Sequence, residues 1–339
     1  MLCSLCDVDA VREIASIEGY RATTSYSVSE CGACGTSSVR PCAMDPRIYE
    51  AIYNHVKDVP GYSRYYALAR DIARQADPLE YIAHLEEPYF AVVEAIKSQL
   101  AEAERMAICE LGCGQGYFTF ALRKAGYHAT GVDHSPEAIA LARQRYGDYY
   151  FCGDLTEYIA TLRERPQVIF ACEVIEHLVD PVGFVSAALE CLASGGLLAI
   201  TTPNKLPEVA EAEARVVWDT ELPPVHLWWF TKRSFMAIAR RVNCSVSFSD
   251  FTRFYQSNER FLVAGSASSV VRSPILDQDY KLIQFAHGRR APAPIKNAVK
   301  AFLPGPAAVA LRRLQAWQRG DVRRDDETST TIGALFRKL

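Results

Sequence analysis

The chain lacks any long apolar run. Its most apolar window, residues 183–200, contains Glu190 and is broken at Gly195-Gly196. It reads as a helix followed by a strand, because a membrane span needs about 20 predominantly apolar residues in succession. A basic leader is missing as well: residues 1–6 carry no Lys or Arg, and Cys3 interrupts any apolar core. No export signal is therefore expected, and the expected location is cytoplasmic. Charge of one sign is scarce. The 37 Lys and Arg against 40 Asp and Glu leave a formal charge of -3, which argues against general nucleic-acid affinity and leaves only a local basic patch open. No internal repeat is present. What the chain does have is 49% apolar residues over a length of 339, enough for one catalytic domain with appendages. It also has 11 cysteines, which without an export signal point to metal and thiol chemistry before disulfides.

The stretch Met106-Ala107-Ile108-Cys109-Glu110-Leu111-Gly112-Cys113-Gly114-Gln115-Gly116 organises the rest. A short apolar run ends in Glu110, and three glycines follow at alternate positions. Residues 117–124 then read as a helix, with Phe118, Ala121 and Leu122 at i, i+3, i+4 spacing. A strand that feeds a glycine-rich turn into a helix is how open α/β sheets bind nucleotides. Glycine lets the backbone turn tightly and approach a ligand without a Cβ in the way. Residues 127–132 form a second predicted strand ending in Asp133, 21 residues beyond Gly112, about where a carboxylate reaches ribose hydroxyls in such sheets.

Ahead of this stretch, Cys3-x-x-Cys6 and Cys31-x-x-Cys34 frame 24 residues rich in strand formers. Four thiolates so arranged can surround a structural Zn²⁺ tetrahedrally, although the spacing is longer than the commonest ribbon range. A redox pair or unrelated cysteines are the alternatives. So small a module would need metal to fold. Residues 45–105 are helical by pattern and concentrate tyrosines, among them Tyr49, Tyr53, Tyr62, Tyr65, Tyr66 and Tyr89. These pack a helical layer on the sheet or line a lid over a bound ligand.

The glycines do not spell the dinucleotide fingerprint; they spell E-x-G-x-G-x-G. With Asp133, Gly153-Asp154-Leu155, Glu173-Val174-Ile175-Glu176-His177-Leu178 and Ser194-Gly195-Gly196 following in order, residues 106 to 265 resemble class I S-adenosylmethionine-dependent methyltransferases. The resemblance implies an α/β fold: a Rossmann-like seven-stranded sheet with helices on both faces, here with the N-terminal zinc-ribbon-like module and a helical C-terminal tail. Strands at 244–251 and 260–264 would complete the seven. It further implies S-adenosylmethionine held by Glu110, Gly112, Cys113, Gly114 and Gly116, by Asp133 on the ribose with His134 beside it, by Asp154 and the Leu155 amide at the adenine, and by Glu173. An N-cap role for Asp154 stays open.

Glu173-x-x-Glu176-His177 resembles the E-x-x-E-H of small-RNA 2′-O-methyltransferases and of the O-methyltransferases of ubiquinone synthesis, where these side chains bind a divalent ion that holds the acceptor hydroxyl. A second histidine with a following aromatic-Thr-x-x-Phe signature completes the small-RNA site, and His226 with Phe230-Thr231-Lys232-Arg233-Ser234-Phe235 has that shape. The resemblance thus implies Glu173, Glu176, His177 and His226 as ligands of Mg²⁺, Mn²⁺ or Zn²⁺. The competing reading makes His177 a metal-free general base, with Glu173 and Glu176 beside it. A packing role for the motif is the third.

The expected organisation is therefore a zinc-ribbon-like module at 1–44, a helical layer or lid at 45–105, a cofactor-binding domain at 106–265 with an acceptor insertion at 205–230, and a basic helical tail at 266–339. Between Arg289 and Arg324 that tail has nine Lys or Arg and one acidic residue, so a helix at 307–319 either docks on protein or touches a membrane surface. Similar N-terminal cysteine knuckles occur in some methyltransferases of sugar and envelope biosynthesis. The expected function is methyl transfer to oxygen of a small-molecule or glycan-like acceptor. An RNA 2′-O-methyltransferase and a non-catalytic cofactor-binding scaffold are the alternatives.

Overall fold

The computed structural model describes residues 1–59, 62–99, 106–205, 222–257, 262–263, 274–283, 322–323 and 329–338. Two sheets organise them. The larger has seven strands: β4 (Ala107–Leu111), β5 (His128–Asp133), β6 (Tyr150–Cys152), β7 (Val168–Cys172), β8 (Leu197–Pro203), β10 (Cys244–Phe248) and β13 (Thr331–Lys338), in the spatial order β10-β13-β8-β7-β4-β5-β6. The run from β8 to β6 is parallel, and β13 is antiparallel to both its neighbours. Strand order reverses between β4 and β7, which leaves a crevice at their carboxyl ends.

Helices cover both faces of the sheet. α3 (Pro78–Ala83), α4 (Glu87–Lys97), α5 (Tyr117–Lys124) and α6 (Pro136–Tyr146) bury one face around Ile82, Val92, Phe118, Ile139 and Phe170. α8 (Pro181–Cys191) and α9 (Lys232–Arg241), with α7 (Leu155–Ala160), cover the other around Val185, Ile238 and Phe336. Several of these helices start where the local sequence says they should. Ser135 Oγ accepts from Ala138 N with Pro136 in the first turn, and Asp180 accepts from Gly183 N with Pro181 following. Before them in the chain, α1 (Pro46–Asn54) and α2 (Ser63–Asp71) carry Tyr49, Tyr53, Tyr65 and Tyr66.

The second sheet contains β1 (Val11–Glu18), β2 (Ser25–Cys31) and β3 (Ser37–Arg40), and its fourth strand is β9 (Trp228–Trp229). The cysteine segment is therefore not a bead on a linker. Its buried Leu5, Val28 and Val39 belong to the same core cluster as Leu227, Phe230, Phe235 and Phe336.

The seventh strand departs from expectation. Residues 262–263 pair with 322–323 in a separate two-stranded ladder, and the place in the main sheet goes to the C-terminal segment β13. The domain thus does not end at 265, and residues 331–338 are sheet rather than helical tail. The physical reason is burial. Ile332, Ala334 and Phe336 are completely buried at alternate positions, the pattern of a strand covered on that face. Gly333 lets α4 approach, since a Cβ there would lie 2.9 Å from Ala91 Cβ and 2.5 Å from Ser249 Oγ. Predicted helices at 208–218 and 307–319 lie outside the described residues.

If β13 is integral to the sheet, Phe336→Ala should cost about 3–5 kcal/mol of stability, the usual range for a fully buried aromatic. Equilibrium urea unfolding measures this; a loss under about 1 kcal/mol would mean that the strand is dispensable.

Candidate active site

The crevice is built from the turn after β4. Gly112, Gly114 and Gly116 all have positive φ, at 69°, 48° and 76°. A Cβ on Gly112 would lie 2.6 Å from Val174, and one on Gly116 would lie 2.5 Å from the Tyr150 ring, so these two are glycine for close packing. A Cβ on Gly114 would meet nothing within 4 Å. The turn is thus tight beneath and open above, the shape a ligand cradle needs. Asp133, at the end of β5, ties it down: one carboxylate oxygen accepts from Gly114 N at 2.8 Å and the other from Ser135 N at 2.9 Å. Each oxygen keeps a lone pair for ligand hydroxyls.

Glu110 has a different position from the one expected of a ligand contact. It is buried, and one carboxylate oxygen accepts from Thr119 N at 2.8 Å and from Thr119 Oγ1 at 2.5 Å, which fixes α5 against β4. Burial pushes its carboxyl up to about 8. Cys113 is buried beside the turn, and His134 is exposed next to Asp133. Asp154 caps α7: it accepts from Glu157 N at 2.7 Å while the Glu157 carboxylate accepts from Asp154 N at 2.9 Å, a reciprocal capping box that also fixes Leu155 at the first helical position.

At the end of β7 the chain turns sharply. Glu173 has φ 55°, a left-handed conformation rare for a side chain larger than glycine, and its N–H donates to Thr201 O at 3.0 Å. Residues Ile175–His177 form a 3-10 turn. Glu176 is buried, and its carboxylate accepts from Thr202 Oγ1 at 2.9 Å and lies 3.7 Å from His177 Nε2. The His177 and His226 rings meet edge to face with centroids 4.7 Å apart. One ligand atom from each of Glu176, His177 and His226 lies within 4.8 Å of the others. Three of the four expected ligands therefore converge, and Glu173 stands outside the group.

His177 has a defined tautomer. Its Nδ1 is 2.5 Å from Val225 O, and a carbonyl can only accept, so Nδ1 carries the proton. Burial, with His226 next, holds the imidazole down to about 3, so the ring is neutral at ordinary pH. Nε2 then presents a lone pair toward the cluster, as a metal ligand does; to serve as a general base the ring needs the Glu176 carboxylate, 3.7 Å away, to offset the burial that disfavours its protonation.

The tyrosines of α1 reach this site, which the sequence did not specify. Tyr49 and Tyr53 share one helix face at i, i+4. Tyr49 packs edge-on to His177 with centroids 6.2 Å apart and donates to Val225 O at 3.2 Å. Tyr53 is an electrostatic neighbour of Asp133 and Cys113; burial first, and those two groups next, raise its hydroxyl. One turn of helix thus connects the glycine cradle to the histidine cluster. Trp228 and Trp229 are buried in β9 rather than standing as exposed stacking platforms.

The four cysteines converge as well. Cys3 Sγ is 3.8 Å from Cys34 Sγ and Cys6 Sγ is 3.6 Å from Cys31 Sγ, with all four sulfurs within 4.8 Å. Sulfurs about 2.3 Å from one tetrahedral zinc would stand about 3.8 Å apart. A disulfide needs about 2.05 Å, so the geometry is that of a four-thiolate site. The hydrogen bond between Cys3 and Cys34 lowers the Cys3 thiol and raises that of Cys34, so without an ion the two share a proton that a metal would displace.

Residues 81–247 match the family model described as a methyltransferase domain. Among curated proteins the chain is similar to the ubiquinone biosynthesis O-methyltransferase of Hydrogenovibrio crunogenus, at 29% identity over 33% of this chain and 48% of that protein. It is also similar to the protein of the same name from Cereibacter sphaeroides, at 31% identity over 31% of this chain and 44% of that one. The chain spans less than half the length of these curated relatives. Among solved structures, the plantazolicin methyltransferase BamL aligns over 87% of this chain and 99% of its own at 14% identity and a TM-score of 0.44, too loose a likeness to weigh. With its seven-stranded sheet, its glycine cradle answered by Asp133 and its matching domain model, the chain belongs to the class I S-adenosylmethionine-dependent methyltransferases.

Proposed function

We propose that the chain transfers a methyl group from S-adenosylmethionine to an oxygen of a small hydroxylated acceptor, a phenol or a sugar, with His177 as the group that takes the proton. The observation that carries this reading is a neutral His177 whose tautomer is fixed by Val225 O, beside Glu176 and His226 at the same sheet edge as Asp133. When bound, the cofactor supplies a methyl group on a positively charged sulfur. Asp133 is suited to hold the ribose hydroxyls and the open ground above Gly114 to take the chain bearing that sulfur. His177 Nε2 accepts the acceptor's proton while Glu176 offsets the charge the ring acquires, and alignment of acceptor and methyl does most of the rest. Tyr49 and Tyr53 roof the two ends and exclude water. The names of the curated relatives, which speak of O-methylation, agree with oxygen as the acceptor atom.

A divalent ion at Glu176, His177 and His226 is the second reading, favoured by their convergence. Two imidazoles and one carboxylate suit Zn²⁺ or Mn²⁺ better than the oxygen-seeking Mg²⁺. Ligands 2.0–2.1 Å from a tetrahedral ion would stand about 3.4 Å apart. The present spread of up to 4.8 Å asks for a small rotamer adjustment. At the cysteines the fit is closer, and we assign structural zinc to Cys3, Cys6, Cys31 and Cys34.

Four outcomes follow. Asp133→Ala should weaken S-adenosylhomocysteine binding by about 3 kcal/mol or more, roughly 100-fold, since charge-assisted bonds to two hydroxyls are lost; unchanged affinity by calorimetry would remove Asp133 from the cofactor site. His177→Ala should lower transfer of labelled methyl groups to a panel of catechols and nucleotide-linked sugars by roughly 10²–10⁴-fold with that affinity intact. EDTA treatment mild enough to leave the cysteine zinc in place, as checked by elemental analysis, leaves turnover unchanged if His177 acts alone, whereas loss reversed by Mn²⁺ establishes the ion. Elemental analysis of protein purified without chelator should find one zinc per chain, or one more if the histidine cluster also binds it, and finding none would overturn the cysteine assignment.

A further inference from the structure

The cysteine module and the histidine cluster are joined by a single strap of chain. Leu227, the residue after His226, is hydrogen-bonded on both sides: its N–H donates to Glu176 O at 2.8 Å, and its C=O accepts from Val39 N at 3.1 Å. One bond runs to the catalytic turn and the other to the last strand of the module. Immediately beyond, Ser38 and Ser37 pair with Trp228 and Trp229 as β3 with β9. Thr36 Oγ1 donates to Trp229 O at 3.2 Å, and Thr231 Oγ1 donates to Cys34 O at 2.8 Å. So the strand that begins just after Cys34 is the template on which residues 227–231 are laid.

We infer that the metal-bound cysteine module is a positioning element of the acceptor site: by holding residues 34–39 it holds residues 225–231, and thereby sets His226 opposite Glu176 and His177. This rests on the zinc assignment proposed above and adds a role to it. The reasoning is local. A two-residue strand such as β9 has no stability of its own and persists only on a rigid partner. β3 is itself four residues long and is anchored through Cys31 and Cys34 at one end. Without the ion the four thiols lose their common partner, and the segment keeps only its burial of Leu5, Val28 and Val39 against the domain, so residues 31–39 loosen first. The cofactor half is outside this chain of dependence, because Asp133, Gly114 and Ser135 bond among themselves.

A second tie tests the coupling without disturbing the thiolates. Lys205, just past β8, donates from Nζ to Glu30 at 2.6 Å, to Ser37 Oγ at 2.7 Å and to Gly35 O at 3.1 Å. Its own N–H donates to Phe230 O at 2.8 Å. It therefore fastens the knuckle of Cys34 to the strap while leaving all four sulfurs in place.

The experiment is hydrogen exchange by mass spectrometry on the full chain, zinc-loaded and chelator-stripped, with S-adenosylhomocysteine calorimetry on the same samples. Stripping should accelerate exchange in 225–231 by about tenfold or more along with that in 1–44, while 107–133 keeps its protection and the ligand's affinity moves by less than about twofold. Lys205→Met should accelerate 225–231 with zinc content unchanged, and Lys205→Arg should recover part of the protection. Opening of 1–44 with 225–231 still protected would overturn the coupling, as would a Lys205→Met protein that exchanges like the parent. A purified chain without zinc overturns the metal's part in it. Failure to bind S-adenosylhomocysteine at all would instead strike the methyl-donor reading, and the exchange pattern would still decide the coupling.

Discussion

The Leu227 peptide has both of its polar groups inside the protein, and each must find a partner there. Its N–H has Glu176 O and its C=O has Val39 N, so two segments almost 140 residues apart meet across one residue. This double bond of backbone to backbone fixes more than a strand. It determines where His226 stands, it closes the N-terminal sheet with β9, and it brings Trp228 Nε1 to Leu178 O at 2.8 Å. Val225 O, one residue before His226, receives both His177 Nδ1 and the Tyr49 hydroxyl. The histidine tautomer, the roof helix and the cysteine module are thus all referred to the same strap, residues 225–231.

Three buried acids are held by neutral donors. Glu110 is held by the Thr119 amide and hydroxyl, Glu176 by the Thr202 hydroxyl, and Glu87 by the hydroxyls of Tyr255 and Thr330. Neutral donors offset only part of the desolvation cost, which is why the Glu110 carboxyl rises to about 8. The sign of the linkage follows: with its folded value above its unfolded one, the native state holds the extra proton, so this group's contribution to stability falls as pH climbs from about 4.5 toward 8. The same three contacts join α5, β8 and the residue before β13 to their neighbours. Each acid is a fixed point where a helix, turn or chain end is fastened to the sheet.

How much of this was legible in the sequence depended on whether the information was local. β4 to β8 could be read because each parallel strand is a short apolar run followed by its own helix, and because Asp133 and the glycines lie at the ends of adjacent strands. The two cysteine knuckles were legible from spacing alone. β13 was not, because its partners β8 and β10 lie far upstream and the intervening segment is basic; the apolar run at 262–263 looked equally suitable. Glu110 shows the limit of spacing: the position that puts it beside the glycines also puts it beneath Thr119, and only the direction of the side chain distinguishes the two. Glu173 was grouped with Glu176 and His177 by proximity in sequence, but its left-handed backbone turns the chain between them. Tyr49 and Tyr53 carried a weak signal, an i, i+4 pair in a segment crowded with tyrosines.

The two halves of the crevice are therefore of different kinds. The cofactor half is made of consecutive elements, β4 through β6, whose turn residues bond to one another over short stretches of chain. The acceptor half is gathered from residues 34–39, α1, the 173–178 turn, Lys205 and the strap at 225–231, and no two of these are adjacent in sequence. Changes in the module or in α1 can then reshape the surroundings of His177 and His226 while the cradle of Gly114 and Asp133 stays as it is. A sheet that carries a constant donor beside a separately supported acceptor site can take new acceptors without rebuilding its cofactor site. In this chain the ribbon proposed to bind metal is placed to give that separate support, through Val39 N on Leu227 O and the pairing of β3 with β9.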